Sequence, residues 1–244
     1  MASPRFRETG RFVRRTAPTK IYTPANLADL MRCLDPASNA PVPIRIRGAG
    51  TAATDCNANS VGTLVDMTGL DRIIHIDAYN HTVKVEAGVR LGTLVGALAD
   101  QGLELIGNHD QMERTVGGAI ASPCIGACIG GQAAYLSTQV ISLKVITATG
   151  QVMKFSEQQK HLLNAFRLSY GMLGAIYEAT LRVRPIATFS ASHRSLSIET
   201  FADVANRLAS RDIGLKFYVL PHMDRVYLDL RRYERTPGNS YNAP

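Results

Sequence analysis

Ile44-Arg45-Ile46-Arg47-Gly48-Ala49-Gly50-Thr51-Ala52-Ala53 is the stretch whose reading decides the fold. Apolar and basic residues alternate through Arg47, which is the period of a half-buried strand. The strand runs directly into Gly48-Ala49-Gly50. The spacing matches the dinucleotide fingerprint G-x-G-x-x-A, and Asp66 stands near where a ribose-binding acid belongs. A Rossmann unit needs a helix that opens inside the fingerprint and turns its N-terminus to the pyrophosphate. Here Thr54, Asp55, Cys56, Asn57, Ala58, Asn59 and Ser60 follow, turn and cap formers without an apolar stripe. The Rossmann reading fails on that ground. What survives is a loop of exposed backbone N–H groups, which suits a phosphate.

The chain around this loop alternates helices and strands. Thr23-Pro24 reads as N-cap and first turn of a helix carrying Leu27, Leu30, Met31 and Leu34 at helical spacing. Strands are predicted at 63–67, 73–76 and 82–87, with Val83 and Val85 on one face and Lys84 and Glu86 on the other. Leu91, Leu94, Val95, Leu98 and Ala99 mark an amphipathic helix that closes at Gly102. A hairpin is expected from 140–147 and 151–155 around Thr149-Gly150, then a helix over 161–170 and a strand over 175–183. From 187 the pattern restarts with strand, helix (201–208), strand (214–220) and strand (225–230).

Two further small-residue segments accompany the first loop. Thr115-Val116-Gly117-Gly118-Ala119-Ile120-Ala121-Ser122 lets a ligand approach the backbone, and Gly126, Gly130 and Gly131 continue it. Gly171-Met172-Leu173-Gly174 is the third. Any one of them could simply make a turn. Three, each beside a strand, suit one long ligand with a diphosphate.

Composition narrows the rest. The 244 residues include 27 Lys and Arg against 20 Asp and Glu, for a net charge of +7, and 45% of them are apolar. That is enough to bury a core and excludes wholesale disorder. Four cysteines, Cys33, Cys56, Cys124 and Cys128, are too few for a disulfide scaffold and show no zinc spacing, so a reducing, cytoplasmic setting and no metal are expected. The uncharged run from Thr115 is broken by glycines and Pro123, so no membrane span is expected. No signal peptide is read at the N-terminus. Arg5, Arg7, Arg11, Arg14, Arg15 and Lys20 make a basic arm, read as solvated or as a contact for an anion. With no Trp and 7% aromatics, nucleic acid is not an expected partner.

Arg47-Gly48-Ala49-Gly50-Thr51, Leu64-Val65-Asp66-Met67-Thr68-Gly69-Leu70-Asp71 and 83–88 resemble the first half of the FAD-binding domain of the vanillyl-alcohol oxidase (PCMH-type) family. Thr115-Val116-Gly117-Gly118-Ala119-Ile120-Ala121 is similar to its central flavin-binding stretch. Val145-Ile146-Thr147-Ala148-Thr149-Gly150 and Gly171-Met172-Leu173-Gly174-Ala175-Ile176 resemble its later landmarks. The resemblance covers about 18–187. It implies an α+β fold with a two-subdomain FAD-binding domain (18–75 and 76–187) behind the arm at 1–17. The start of an α+β substrate (cap) domain would occupy 188–244. Lys216-Phe217-Tyr218-Val219-Leu220-Pro221-His222-Met223-Asp224-Arg225-Val226 is similar to the cap of sugar-acid lactone and alditol oxidases. Decaprenylphosphoryl-ribose oxidases are similar in the FAD domain, and by this comparison the chain looks truncated in the cap.

The resemblance implies FAD as cofactor. It places cofactor contacts at Arg47, Gly48, Ala49, Gly50, Thr51, Ala52, Asp110, Thr115, Gly117, Gly118, Ser122, Gly126 and Ile176. The first loop would hold the pyrophosphate, and 115–122 would follow the ribityl chain and the isoalloxazine. Relatives that bind flavin covalently carry His where this chain has Thr51 or Ile125, so non-covalent FAD is expected. Cys124 is read as a packing residue, and His109 with Asp110 either reaches the cofactor or caps a turn. Tyr218, Arg225 and Tyr227 either line a substrate pocket or pack as ordinary sheet residues. No catalytic residue is nominated. The function implied is a flavoprotein oxidoreductase that takes a hydride from a hydroxyl-bearing carbon of a polyol, sugar or lactone. Its electron acceptor would be oxygen or a quinone or dye, and an exposed apolar cap surface would favour a homo-oligomer. The alternative is a non-enzymatic FAD-binding module.

Overall fold

The computed structural model describes residues 18–52, 54, 56, 59, 61–107, 109–127, 135–211, 213–220 and 222–233. Residues 1–17, with the five arginines of the basic arm, and Ala53, Cys128, Gly130 and Gly131 lie outside them. Three sheets follow one another along the chain.

The first is small and parallel. Strand β1 (Lys20–Tyr22) leads to helix α1 (Leu27–Leu34), then β2 (Ile44–Arg47) and β3 (Thr63–Asp66). β3 is central, and Arg47 pairs in register with Asp66. Helix α1 starts later than the Thr23-Pro24 signal suggests. Asn26 is its N-cap, with Oδ1 accepting from the Asp29 N–H at 2.9 Å. An Asx side chain at that position satisfies an orphan donor of the first turn, which overrides the Pro signal.

The second sheet is antiparallel. It holds β4 (Ile73–Asp77), β5 (Thr82–Glu86), β6 (Leu103–Leu105), β7 (Val140–Ile146), β8 (Val152–Ser156) and β9 (Ala175–Pro185). The order is β4-β5-β9-β7-β8, with β6 also on β9. Helices α2 (Leu91–Ala99), α3 (Val116–Ala121) and α4 (Lys160–Phe166) accompany it. Leu91, Leu94 and Leu98 of α2, Val116, Ala119 and Ile120 of α3, and Leu163 and Phe166 of α4 join Val83, Val85, Leu143, Val145 and Leu181 in one buried core. A second core packs Leu30, Cys33 and Leu34 of α1 and Val65 of β3 against Ile146, Ala175 and Tyr177. That second core fastens the first sheet to the ends of β7 and β9.

Two expectations change here. Helix α3 lies inside the glycine-rich segment, where no helix is expected from composition. Its signal is the Thr115 N-cap followed by Val116, Ala119 and Ile120, buried at helical spacing. Glu86 alternates with Val85 as expected but is fully buried. Its carboxylate accepts from Arg72 Nη2 at 2.7 Å and from the Tyr177 hydroxyl at 3.1 Å. Burial opposes ionisation, yet these bonds and the Arg72 charge hold the carboxyl below its ordinary value.

The third sheet has the order β10 (Phe189–Leu196), β12 (Val226–Tyr233), β11 (Gly214–Val219), all antiparallel, with helix α5 (Ile198–Ala209) between β10 and β11. Ser197 caps α5 by accepting from the Thr200 N–H at 3.1 Å. Phe201 of α5 stacks on Phe217 of β11 at 4.9 Å between ring centroids.

Candidate cofactor cleft

Strand β2 delivers the first loop to the edge of an open cleft. Arg47, Gly48, Ala49, Gly50, Thr51 and Ala52 line one side. Thr115, Gly117, Gly118, Ala121 and Ser122 line the second, and Tyr170, Gly171, Gly174 and Ile176 the third. The three small-residue segments thus meet in one place although they lie far apart in sequence. Their walls are mostly backbone and short side chains, which lets a ligand approach the backbone closely.

The first two segments touch. A Cβ on Gly48 would fall 2.0 Å from Thr115 Oγ1, so only glycine permits this approach. Thr115 is the N-cap of α3, and its hydroxyl oxygen accepts from the Gly118 N–H at 3.3 Å. The β2 loop and the α3 segment therefore lie in close contact.

Two guanidinium groups stand in the wall. Arg47 Nη2 donates to Asp66 Oδ2 at 2.6 Å. Asp66 Oδ1 also accepts from the Thr68 hydroxyl at 2.7 Å and the Thr68 N–H at 3.1 Å. Burial works against the Asp66 anion, but the bonds from Thr68 and Arg47 outweigh it and hold the carboxyl below its ordinary value. Asp66 is thus a partner of the loop's arginine, the role opposite to a Rossmann ribose acid. Arg114 is the second cation. It is absent from the residues singled out by sequence, and its one signal is its place as the last charge before the long uncharged run.

Asp110 and Gly126 stand apart from the cleft lining. The Asp110 carboxylate is engaged by Lys216 of β11. A Cβ on Gly126 would fall 1.9 Å from the Gly107 carbonyl oxygen, so Gly126 lets two backbone segments pass each other behind the wall. His109 is buried there, with Nδ1 3.8 Å from Cys124 Sγ. Burial pushes the imidazole below its ordinary value and the Cys124 thiol above its own, so both are neutral at pH 7. Cys56 also lines the cleft, and Cys33, Cys56 and Cys124 are free thiols. Tyr218 and Tyr227 pair across β11 and β12, both about half exposed.

Among the described residues no helix is long and apolar enough to cross a membrane, and no cluster of His, Cys, Asp and Glu has the makings of a metal site.

A backbone-walled cleft with two cations, shared by three separate segments, fits a long dinucleotide with an anionic middle. Comparison with known proteins agrees. The FAD binding domain family matches residues 18–156. L-gulono-1,4-lactone dehydrogenase of Mycobacterium tuberculosis is 31% identical over 210 residues, covering 86% of this chain and 48% of that protein. The mitochondrial L-galactono-1,4-lactone dehydrogenase of Arabidopsis thaliana is 27% identical over 204 residues, covering 83% of this chain and 33% of that protein. L-gulonolactone oxidase of Bos taurus is 25% identical over 224 residues, covering 91% and 50% respectively. The chain thus spans half or less of the length of these relatives. The fold matches that of 6-hydroxy-D-nicotine oxidase from Arthrobacter nicotinovorans with a TM-score of 0.72 at 18% identity, over 91% of this chain and 51% of that one. The chain belongs to the FAD binding domain family, and its cofactor is FAD.

Proposed function

We propose that this FAD-binding chain is the flavin-carrying part of an oxidoreductase that oxidises a hydroxyl-bearing carbon of a sugar lactone, or of a related polyol or sugar. The observation that carries the reading is the convergence of three small-residue segments on one cleft, in a chain similar to lactone dehydrogenases and oxidases. Bound FAD supplies the hydride acceptor.

The chain's own residues bind and orient. N–H groups of Gly48, Ala49, Gly50, Thr51 and Ala52, supported by Arg47, would hold the diphosphate. Thr115, Gly117, Gly118, Ser122 and Ile176, which line the same cleft, would hold the rest of the cofactor. Asp110 and Gly126 act from behind, one tying the cleft to β11 and the other seating His109. Binding is non-covalent, because Thr51 and Ile125 offer no imidazole and burial keeps the Cys124 thiol protonated. The electrons leave to oxygen or to a quinone-type acceptor. The free cysteines suit a reducing, cytoplasmic setting. The exposed Tyr218, Val219 and Leu220 favour a homo-oligomer, so size-exclusion chromatography should show more than a monomer.

The test is anaerobic mixing of the FAD-loaded chain with aldonolactones, alditols and aldoses. Bleaching of the flavin band by one class identifies the substrate. A flavin that dithionite reduces but none of these compounds does would overturn the assignment.

A further inference from the structure

The third side of the cleft is a loop in an uncommon conformation. Between α4 and β9, Leu168 and Tyr170 have φ of 56° and 53°, and Gly171 and Gly174 follow at 76° and 139°. Glycine takes the left-handed region freely, but a bulky side chain there is an outlier that costs free energy. The surrounding structure imposes it. The Leu168 N–H donates to the Ile120 carbonyl at 3.0 Å and the Tyr170 N–H to the Ala121 carbonyl at 2.7 Å. Those carbonyls belong to the last turn of α3, where acceptors have no partner within the helix. At the other end, a Cβ on Gly174 would fall 2.3 Å from the Ile146 carbonyl oxygen, so the loop lies hard against β7. A backbone clamped in this way fixes where its side chain goes, and such positions concentrate at ligand sites.

The side chain placed at the cleft by this loop is Tyr170, which is 47% exposed. Among the described residues of the lining it is the only aromatic. Among the described residues its ring stacks on no other ring and under no cation, and its hydroxyl makes no hydrogen bond. Tyr177, by contrast, is buried and donates to Glu86 at 3.1 Å. A dinucleotide brings two planar rings into the cleft. Walls of glycine, alanine and short polar groups offer a ring no flat partner; a tyrosine face does.

We propose that Tyr170 is a stacking platform for one planar heteroaromatic ring of the cofactor, the adenine or the isoalloxazine. The inference rests on the FAD reading of the cleft and adds to it a side chain that the glycine segments do not supply. It accounts for the two observations together: an aromatic held in a backbone conformation that suits glycine better, and a ring left without a partner in the protein. The competing role is steric. A ring that merely fills the rim of the cleft would be replaceable by any apolar side chain of similar bulk.

Two substitutions separate the roles. Tyr170→Phe keeps the π-face and drops the hydroxyl. Tyr170→Leu keeps apolar bulk and the same backbone strain but has no π-face. Both variants and the unaltered chain are titrated with FAD, and circular dichroism of the flavin band is recorded at saturation. Tyr170→Phe should bind FAD within about twofold of the unaltered chain. Tyr170→Leu should bind about tenfold more weakly, as expected for one lost stacking contact. The dichroism identifies the ring: a flavin band altered in Tyr170→Leu assigns the isoalloxazine, and an unaltered band assigns the adenine. If Tyr170→Leu fails to fold, Tyr170→Met is the second non-aromatic variant and must give the same loss. A leucine variant that binds FAD as tightly as the unaltered chain, or a phenylalanine variant that binds as weakly as leucine, would overturn the proposal while FAD stays bound to the unaltered chain. An unaltered, folded chain that retains no FAD would overturn the proposed function and this inference with it.

Discussion

Residues 18–185 bury apolar side chains on helices α1–α4 and on strands β3 and β5–β9, whereas the sheet of β10, β12 and β11 buries two, Val226 and Leu228. Helix α5 buries none, and Phe217, Tyr218, Val219 and Leu220 stay 41–53% exposed. The links between the two regions include polar and aromatic contacts. Lys216 pairs with Asp110, and the Arg184 guanidinium stacks over the Tyr233 ring at 4.8 Å. The cofactor-bearing region is thus stabilised by its own core. The third sheet depends on its docking and leaves apolar surface open.

The comparison is broken most directly in the core. Leu94→Ala should cost about 2–5 kcal/mol in chemical denaturation, because Leu94 is fully buried between α2 and the second sheet. Phe217→Ala, on a half-exposed ring, should cost about 1 kcal/mol or less. Equal losses would erase the distinction between the two regions. Glu86→Gln comes next, at roughly 1–3 kcal/mol, since it disrupts the bonds from Arg72 and Tyr177 inside the second sheet.

Gly48→Ala sharpens the account at the cleft. The new Cβ meets Thr115 Oγ1, so the β2 loop must move off α3. FAD affinity measured by fluorescence quenching should fall at least about tenfold, the equivalent of about 1.4 kcal/mol, with hydrogen exchange in β10–β12 unchanged. Unaltered affinity would show that the contact does not shape the cofactor site.

The smallest expected effect lies at the junction. The hydrogen bond from Lys216 holds the Asp110 carboxyl below its ordinary value of 3.8, against the effect of burial. A depressed folded-state pKa contributes stability above the unfolded value, lost as pH falls through the folded one. The exposed pair is worth under about 1 kcal/mol after screening. Hydrogen exchange in β11 should therefore rise below pH 3.8 before that in β7 and β9, and Asp110→Asn should remove this difference. Simultaneous loosening of both sheets would contradict it.

Much of this architecture is legible in the residues, and the exceptions have physical causes. The alternation in Ile44-Arg45-Ile46-Arg47 and the apolar stripe of α2 declare themselves because their periods are regular. Helix α3 is hidden by two glycines, which depress helix propensity, while burial of Val116, Ala119 and Ile120 stabilises it. Strand β6 escapes because three residues carry no period and its pairing with β9 is long-range. At the site, the glycine loops reveal the backbone walls. Arg114 is not visible as a cleft residue, because its place depends on Gly118, Ser122 and Pro123 folding back onto it. The Lys216 partner of Asp110 is equally invisible, because it comes from β11, more than a hundred residues away.

The most direct test of the central claim, a cleft that holds FAD without a covalent bond, is the visible spectrum of the purified, FAD-incubated chain. It is recorded after gel filtration and again after acid precipitation. The account predicts a flavin band that co-elutes with the protein and passes entirely into the acid supernatant. A folded chain that elutes colourless, or flavin that stays in the acid pellet, would contradict it.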